Sequence, residues 1–194
     1  MNLVLKTPNE PPYKPGKDFS VVMSCGDATV ARACEILQRL NHNLENEKGR
    51  LLYQLWNIEV LAFVELRELG AIEAAAADMV IVGLPGGREL PGTVAAWMKR
   101  WLELRKGRPG ALVGVLEADV AAAAAQGTLA QLKAAAAAGQ MDFFATGGGS
   151  RVGRDAGMVR GLDEAARHFV MAHRHGAPGG LPGGRRLPAT ACGS

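Results

Sequence analysis

Residues 79–101 read MVIVGLPGGRELPGTVAAWMKRW and contain a strand, a turn and a helix in that order. Residues 79–82 are apolar at consecutive positions, as expected of a strand that is covered on both faces. The segment 90–105 has helical periodicity, and Trp97 and Trp101 lie one turn apart on its apolar side. We expect both rings to pack in the core. A fully buried strand followed by an amphipathic helix is typical of α/β proteins.

The same pairing of strand and helix is repeated on both sides of this stretch. Strands are predicted at 19–24, 51–56, 79–82, 111–116 and 141–145, and helices at 28–40, 58–77, 90–105, 129–138 and 162–173. Strands that alternate with helices pair in parallel through right-handed crossovers. We therefore predict a three-layer, doubly wound α/β fold with five parallel strands in the order 2-1-3-4-5. In that order, ligands bind at the carboxyl ends of strands 1 and 3.

Local signals refine these elements. Asp27 is predicted to cap the first helix, and the polar residues 41–50 are predicted to form a loop. Gly70 is predicted to interrupt the second helix. The chain as a whole is predicted to contain an extended lead-in over 1–17, one domain over 18–175, and a disordered Gly/Pro-rich tail over 176–194.

Composition narrows the classes of function. Residues 1–150 carry 15 lysines and arginines against 16 acidic residues, whereas residues 151–194 carry seven arginines against three acidic residues. The predicted domain body therefore lacks the basic stripe of a nucleic-acid-binding protein. Neither a signal-peptide core nor an apolar run of about 20 residues is present, which argues against membrane association. Three cysteines without CxxC spacing suit a reducing compartment, so we expect a cytoplasmic protein.

The stretch 79–101 resembles the flavodoxins and the flavodoxin-like FMN reductases. In that family a buried strand ends in a Gly-x-Pro loop, which a Pro-Gly pair and an amphipathic helix follow. The matching residues are Gly83, Pro85, Pro91, Gly92, Val94 and Trp97. The resemblance implies a flavodoxin-like fold and a loop that borders the ring of FMN. The residues assigned to this loop are Gly83, Leu84, Pro85, Gly86, Gly87 and Arg88.

The resemblance also implies a phosphate site after the first strand. Backbone N–H groups and the dipole at a helix N-terminus hold phosphate in such turns. The residues assigned to this turn are Ser24, Cys25, Gly26, Asp27, Ala28 and Thr29. Both loops also have a purely structural interpretation, as turns whose glycines and prolines end one element and begin the next.

Response-regulator receivers share this fold, but they need an aspartate at the end of strand 3 and a lysine at the end of strand 5. Strand 3 here ends in Gly83-Leu84-Pro85, and strand 5 ends in Ala145-Thr146-Gly147, so a phosphorylated receiver is excluded. Two functions stay open. One is binding of FMN or a similar phosphate-bearing ligand at strands 1 and 3. The other is a non-catalytic domain, including a non-phosphorylated receiver relative, that binds a protein partner or a small ligand. Either function is compatible with a homodimer.

The sequence assigns no catalytic residue and no metal site. His168, His173 and His175 have no carboxylate or cysteine to complete a ligand set, so we expect surface positions. Cys25 is the one thiol in a candidate site. Its position next to a helix N-terminus would lower its pKa, which makes a cysteine nucleophile a third option.

Overall fold

The structure is a computed structural model that describes residues 18–46, 49–85, 89–117 and 122–146, without the side chains of 122–124. The strands are β1 (Asp18–Cys25), β2 (Arg50–Asn57), β3 (Met79–Leu84), β4 (Ala111–Leu116) and β5 (Asp142–Thr146). The helices are α1 (Asp27–Asn46), α2 (Val64–Ala76), α3 (Gly92–Arg105) and α4 (Ala122–Ala138), and a short 3₁₀ helix spans Ile58–Ala62.

The five strands form one parallel sheet in the order β2-β1-β3-β4-β5, which confirms the predicted topology. Cys25 at the end of β1 is paired with Asn57 of β2 on one side and with Gly83 of β3 on the other. The carboxyl ends of these three strands therefore lie side by side at one edge of the sheet. That edge carries the two loops that the sequence singles out.

Helices cover the sheet on both faces. Phe19, Met23 and Ile81 pack with the apolar side of α1 on one face. Val22 and Val80 pack on the opposite face with residues of α2, α3 and α4. Every residue of β3 is buried, because this central strand has helices on both sides. The predicted run of consecutive apolar residues reflects that position.

Trp97 and Trp101 of α3 are both 0% exposed, which confirms that they belong to the core. Their ring centroids are 6.1 Å apart with an interplanar angle of 60°, a tilted arrangement that aromatic pairs favour. Large aromatic volume is thus concentrated on the face that α2 and α3 share.

Three predictions of helix ends and capping were wrong. The segment 41–46, predicted as loop, continues α1 to Asn46, because Leu44 adds a buried position and Asn41 bonds the Glu45 side chain at 2.7 Å. Asp27, predicted as the cap, is the first residue of α1 itself. The fourth helix begins at Ala122 rather than at 129, because the alanine tract has the highest helix propensity available.

Gly70 does not interrupt α2 but allows it to approach its neighbours. A Cβ atom at Gly70 would lie 3.4 Å from Trp97 Nε1 and 3.5 Å from the ring of Trp56. The break in the predicted helix 58–77 falls instead at Phe63, between the 3₁₀ helix and α2. The glycine therefore serves close packing of α2 on β2 and α3.

Several predicted segments lie outside the described residues, namely the lead-in 1–17, the helix 162–173, the tail 176–194 and the three C-terminal histidines. In the described part of the chain, none of the helices combines the length and apolar character that crossing a membrane requires.

Candidate functional site

The two predicted loops meet at the carboxyl edge of the sheet. A single residue, Gly26, separates the end of β1 from the start of α1. Gly83 of β3 lies so close to this turn that a Cβ atom there would collide with Thr29 Oγ1 and Cys25 Sγ. Glycine is therefore required at position 83 by the close approach of β3 to the first turn of α1.

The hydroxyl groups of the turn are directed into the protein. Thr29 is 2% exposed, and its hydroxyl donates a hydrogen bond of 3.1 Å to the Gly26 carbonyl. Ser24 is 0% exposed, and its Oγ has no hydrogen-bond partner among the described residues. Neither side chain is available to a ligand that approaches from solvent.

The Cys25 thiol is buried beside Gly83 and Thr29. Burial raises its pKa from 9.0 to about 12, against smaller lowering effects of the neighbouring Gly83 backbone and Thr29 side chain. The prediction that the helix N-terminus lowers this pKa was wrong, because loss of hydration outweighs the favourable dipole. Cys25 is therefore a protonated core side chain at neutral pH.

What the turn presents to solvent is mainly backbone. Asp27 and Ala28 are exposed, and their N–H groups have no hydrogen-bond partner in the described part of the chain. The Gly26 carbonyl accepts the N–H groups of Thr29 and Val30, each at 3.1 Å. Two amides and the dipole of a 20-residue helix are thus the accessible anion-binding groups of this turn.

The loop after β3 contributes little side-chain chemistry within the described residues. Leu84 is 1% exposed and packs in the core, whereas Pro85 is exposed. Leu90 is partly buried against the same core, and its N–H bonds the Gln131 side chain at 3.2 Å. Gly86, Gly87 and Arg88 lie outside the described residues. Leu84 therefore fills space beneath the edge rather than lining an open crevice.

FMN would need a cradle for its phosphate and a platform for its ring at this edge. A phosphate would meet two backbone amides, but the buried hydroxyls of Ser24 and Thr29 face away from it and the exposed Asp27 carboxylate repels it. The segment 84–90 contains no aromatic residue that could stack on a flavin ring. The described residues therefore do not form the phosphate cradle and ring platform that the resemblance implies.

One basic side chain reaches this edge without having been predicted. Arg32, in the second turn of α1, donates through Nε to Thr146 Oγ1 at 2.8 Å and so ties α1 to the end of β5. Arg32 has no local signal in the sequence, because its partner Thr146 lies 114 residues further along the chain. A further set of residues was also missed, namely exposed hydrophobic side chains on β2 and α2.

A separate groove of about 480 Å³ lies between α4 and the edge strand β5. Alanines form much of its wall, together with Lys133, Met141, Asp142 and Phe143. Within the described residues, no three or more His, Cys, Asp or Glu side chains are grouped to hold a metal ion. The groove shares no lining residue with the two predicted loops.

Comparison with known proteins supports the fold of this chain but assigns it no function. The sequence matches no protein-family model and no curated protein. An oxidoreductase from Corynebacterium diphtheriae has a TM-score of 0.57 and 12% identity, and the match covers 83% of this chain and 100% of that chain. The rubredoxin oxygen:oxidoreductase of the anaerobe Desulfovibrio gigas has a TM-score of 0.53 and 14% identity over 84% of this chain. This chain spans only 38% of that larger protein.

Likeness at these identities concerns the fold alone. The strand order and the helices on both faces agree with the resemblance inferred from residues 79–101. The protein therefore has a flavodoxin-like fold.

Proposed function

We propose that this chain is a flavodoxin-like binding domain that holds a protein partner against one flank of its sheet. The flank consists of β2, the 3₁₀ helix and α2, residues 50–76, and is called the β2–α2 flank below. The proposal corresponds to the non-catalytic interpretation of the sequence. The resemblance to oxidoreductases in fold does not bear on it, since one fold hosts many functions.

The observation that carries the proposal is the distribution of exposed apolar side chains. Among the described residues, the large hydrophobic side chains that are about half exposed or more all fall between positions 53 and 72. They are Tyr53 (61%), Leu55 (52%), Phe63 (62%), Val64 (61%), Leu69 (48%) and Ile72 (53%). Large exposed apolar surface confined to one part of a domain is a mark of protein–protein interaction sites.

The arrangement within α2 shows that this exposure is not a failure of packing. Gly70, Ala71 and Ala74 are the buried positions of the helix, so small residues face the core. Leu69 and Ile72 occupy the outward side, where polar residues are the norm in a surface helix. The larger apolar side chains are thus placed where they contribute nothing to the domain's own core.

Photo-crosslinking in cells tests the proposal. A photoactivatable phenylalanine analogue at position 69 is expected to give a discrete protein adduct whose crosslinked peptide mass spectrometry identifies. The same analogue at position 137, on the exposed side of α4, is the matched control and is expected to give none. Ile72→Lys should remove the adduct at 69. Equal labelling at both positions, or no adduct at 69, would overturn the proposal.

FMN, or another phosphate-bearing ligand, is the second candidate. The observation in its favour is that the N-terminus of α1 and the close-packed Gly83 meet at the strand ends where this fold binds ligands. If FMN binds there, the protein should quench the fluorescence of added FMN. A purified protein that is colourless and leaves this fluorescence unquenched would exclude the candidate.

Ala28→Glu provides the variant for this second test, because it adds a negative charge at the exposed first turn of α1. If FMN binds to the wild-type chain and Ala28→Glu abolishes binding, the ligand site is established at the predicted turn. Crosslinking at position 69 should be the same in this variant, so the two candidate functions are separable.

A further inference from the structure

β2 is an edge strand of the described sheet, and no described strand pairs with its outer side. Among the described residues it pairs with β1 alone, over all eight positions from Arg50 to Asn57. An edge strand of this length presents a row of backbone N–H and C=O groups that another strand can bond. Natural proteins usually protect such edges with lysines, prolines or inward-pointing charges. The stretch 51–56 reads LLYQLW and contains none of these.

Apolar side chains lie on both sides of this edge. Tyr53 and Leu55 are paired with Val21 and Met23, which pack under α1, so they project from the α1 face of the sheet. On the other face, α2 carries Leu69 on its outward side. A partner chain whose strand bonds to β2 would therefore meet apolar side chains at both faces of the sheet, on β2 and on α2.

A second copy of the chain offers both things that this edge can bind, an unpaired strand and apolar surface on both faces of the sheet. A two-fold axis that lies between the two β2 strands, perpendicular to the sheet, makes the strands antiparallel and brings each face of the sheet next to the same face of the partner. Apolar surface then meets apolar surface on both faces. The uncharged segment 51–56 lies at the axis, so no charged side chain of β2 faces its own copy there.

The strand ends are complementary in charge. β2 begins at Arg50, whose side chain also contacts Asp18 at 3.2 Å. The exposed Glu59 follows the carboxyl end of β2. Antiparallel pairing brings the start of one strand to the end of the other, so basic and acidic side chains approach each other twice. The six exposed side chains present on the order of 600 Å² per chain, most of the roughly 800 Å² per partner of a standard interface.

We propose that the β2–α2 flank is the interface of a homodimer in which the two β2 strands pair antiparallel and join both sheets into one continuous sheet. The inference rests on the proposed function, because it names a second copy of this chain as the partner of the same flank.

The oligomeric state of the full chain tests the inference. Light scattering after size exclusion is expected to give twice the chain mass of 20.4 kDa at concentrations of tens of micromolar. Leu55→Lys places like charges close to the two-fold axis and should weaken dimerisation at least about tenfold. Ala137→Lys, on exposed α4, should leave the dimer intact. A monomeric wild-type chain, or equal masses for the two variants, would overturn the inference.

Crosslinking locates the interface independently of any folding defect in Leu55→Lys. Gln54→Cys puts a thiol on exposed β2, and Gln126→Cys puts one on exposed α4 with the same native cysteines. A short bismaleimide should join chains through position 54 and not through 126. If a dimer forms but position 54 is not crosslinked, the two β2 strands do not meet.

The two proposals fail in different ways. An adduct at position 69 with the mass of a different protein would support the proposed function and overturn the homodimer. An adduct of twice the chain mass, lost in Leu55→Lys, supports both. The absence of any adduct at position 69 would remove the flank as a binding surface altogether.

Discussion

At the scale of single residues, the side chains around Gly83 fill the space at the carboxyl edge of the sheet that a ligand would need. The space that a Cβ atom would need at Gly83 is occupied by Thr29 Oγ1 and Cys25 Sγ. A site that is to admit a phosphate needs its polar groups directed outward, and here they are packed against β3. The residues that resemble a ligand loop in sequence act mainly as a tight turn.

Gly83→Ala should destabilise the fold by about 1–3 kcal/mol, because the added methyl group displaces two packed side chains. Gly92→Ala is the matched control, since a Cβ atom at Gly92 has no neighbour within 4 Å and alanine favours the first turn of α3. Urea denaturation measures both free energies of unfolding. Equal values for the two variants would contradict the close packing at position 83.

Cys25 makes stability depend on pH in the alkaline range. The folded thiol, with its pKa raised by burial to about 12, stays protonated while the unfolded thiol ionises near 9.0. Between these values the unfolded state binds fewer protons, so stability is fully present below pH 9 and is lost as the pH rises toward 12.

The wild-type chain should therefore lose about 2 kcal/mol more than Cys25→Ala between pH 8.5 and pH 10.5, whatever the fixed cost of the cavity. Denaturant titrations of both proteins across this range give the difference in slope. Parallel stability curves for the two proteins would show that Cys25 ionises normally in the folded state.

At the scale of elements, the amino edge of the sheet is held by two buried charged residues. The Asp78 carboxylate accepts the Ser20 N–H at 2.9 Å and the Ser20 hydroxyl at 2.7 Å, and Arg108 pairs with it at 2.8 Å. Arg105 at the end of α3 donates to the carbonyls of Ala77 and of the loop before β4, and burial lowers its pKa to about 10. β1, β3 and α3 are thereby fixed relative to one another.

Asp78→Ala should cost about 2–4 kcal/mol, because it leaves the backbone and side chain of Ser20 without their acceptor. Asp78→Asn keeps an acceptor oxygen and should cost clearly less, since the Arg108 side chain is 42% exposed and its ion pair contributes little. Thermal unfolding of the two variants ranks them. Similar losses for both would mean that the charge, and not the hydrogen bonds, stabilises this edge.

At the scale of the whole molecule, the apolar surface is unevenly distributed. The core lies on both faces of the sheet, whereas the β2–α2 flank exposes hydrophobic side chains that no described element covers. These side chains should therefore contribute to association and not to the stability of the isolated domain.

Leu69→Glu should change the free energy of unfolding by less than about 0.5 kcal/mol, because Leu69 is about half exposed. Leu132→Glu, at a fully buried position of α4, should prevent stable folding, since it places a carboxylate in the core. Circular dichroism with denaturation compares them. A large loss of stability in Leu69→Glu would show that the flank is part of the domain's own core, which contradicts the proposed function.

The sequence alone determined the topology and the core, because alternating apolar segments of strand and helix type admit few parallel arrangements. It identified β3 by its consecutive apolar residues and placed Trp97 and Trp101 inside. It also brought Ser24–Thr29 and 83–85 to one edge, since the ends of adjacent parallel strands coincide.

Only the tertiary structure decided what those residues do there. Whether Thr29 faces a ligand or the Gly26 carbonyl, and whether Cys25 ionises, depends on distances to β3 that local patterns do not contain. The exposure of Tyr53 and Leu55 was equally hidden, because the predicted order places β2 at the edge of the sheet but does not say which of its apolar side chains other elements cover. The burial of a side chain depends on the residues that pack against it, and only the complete fold brings together residues that are distant in the sequence.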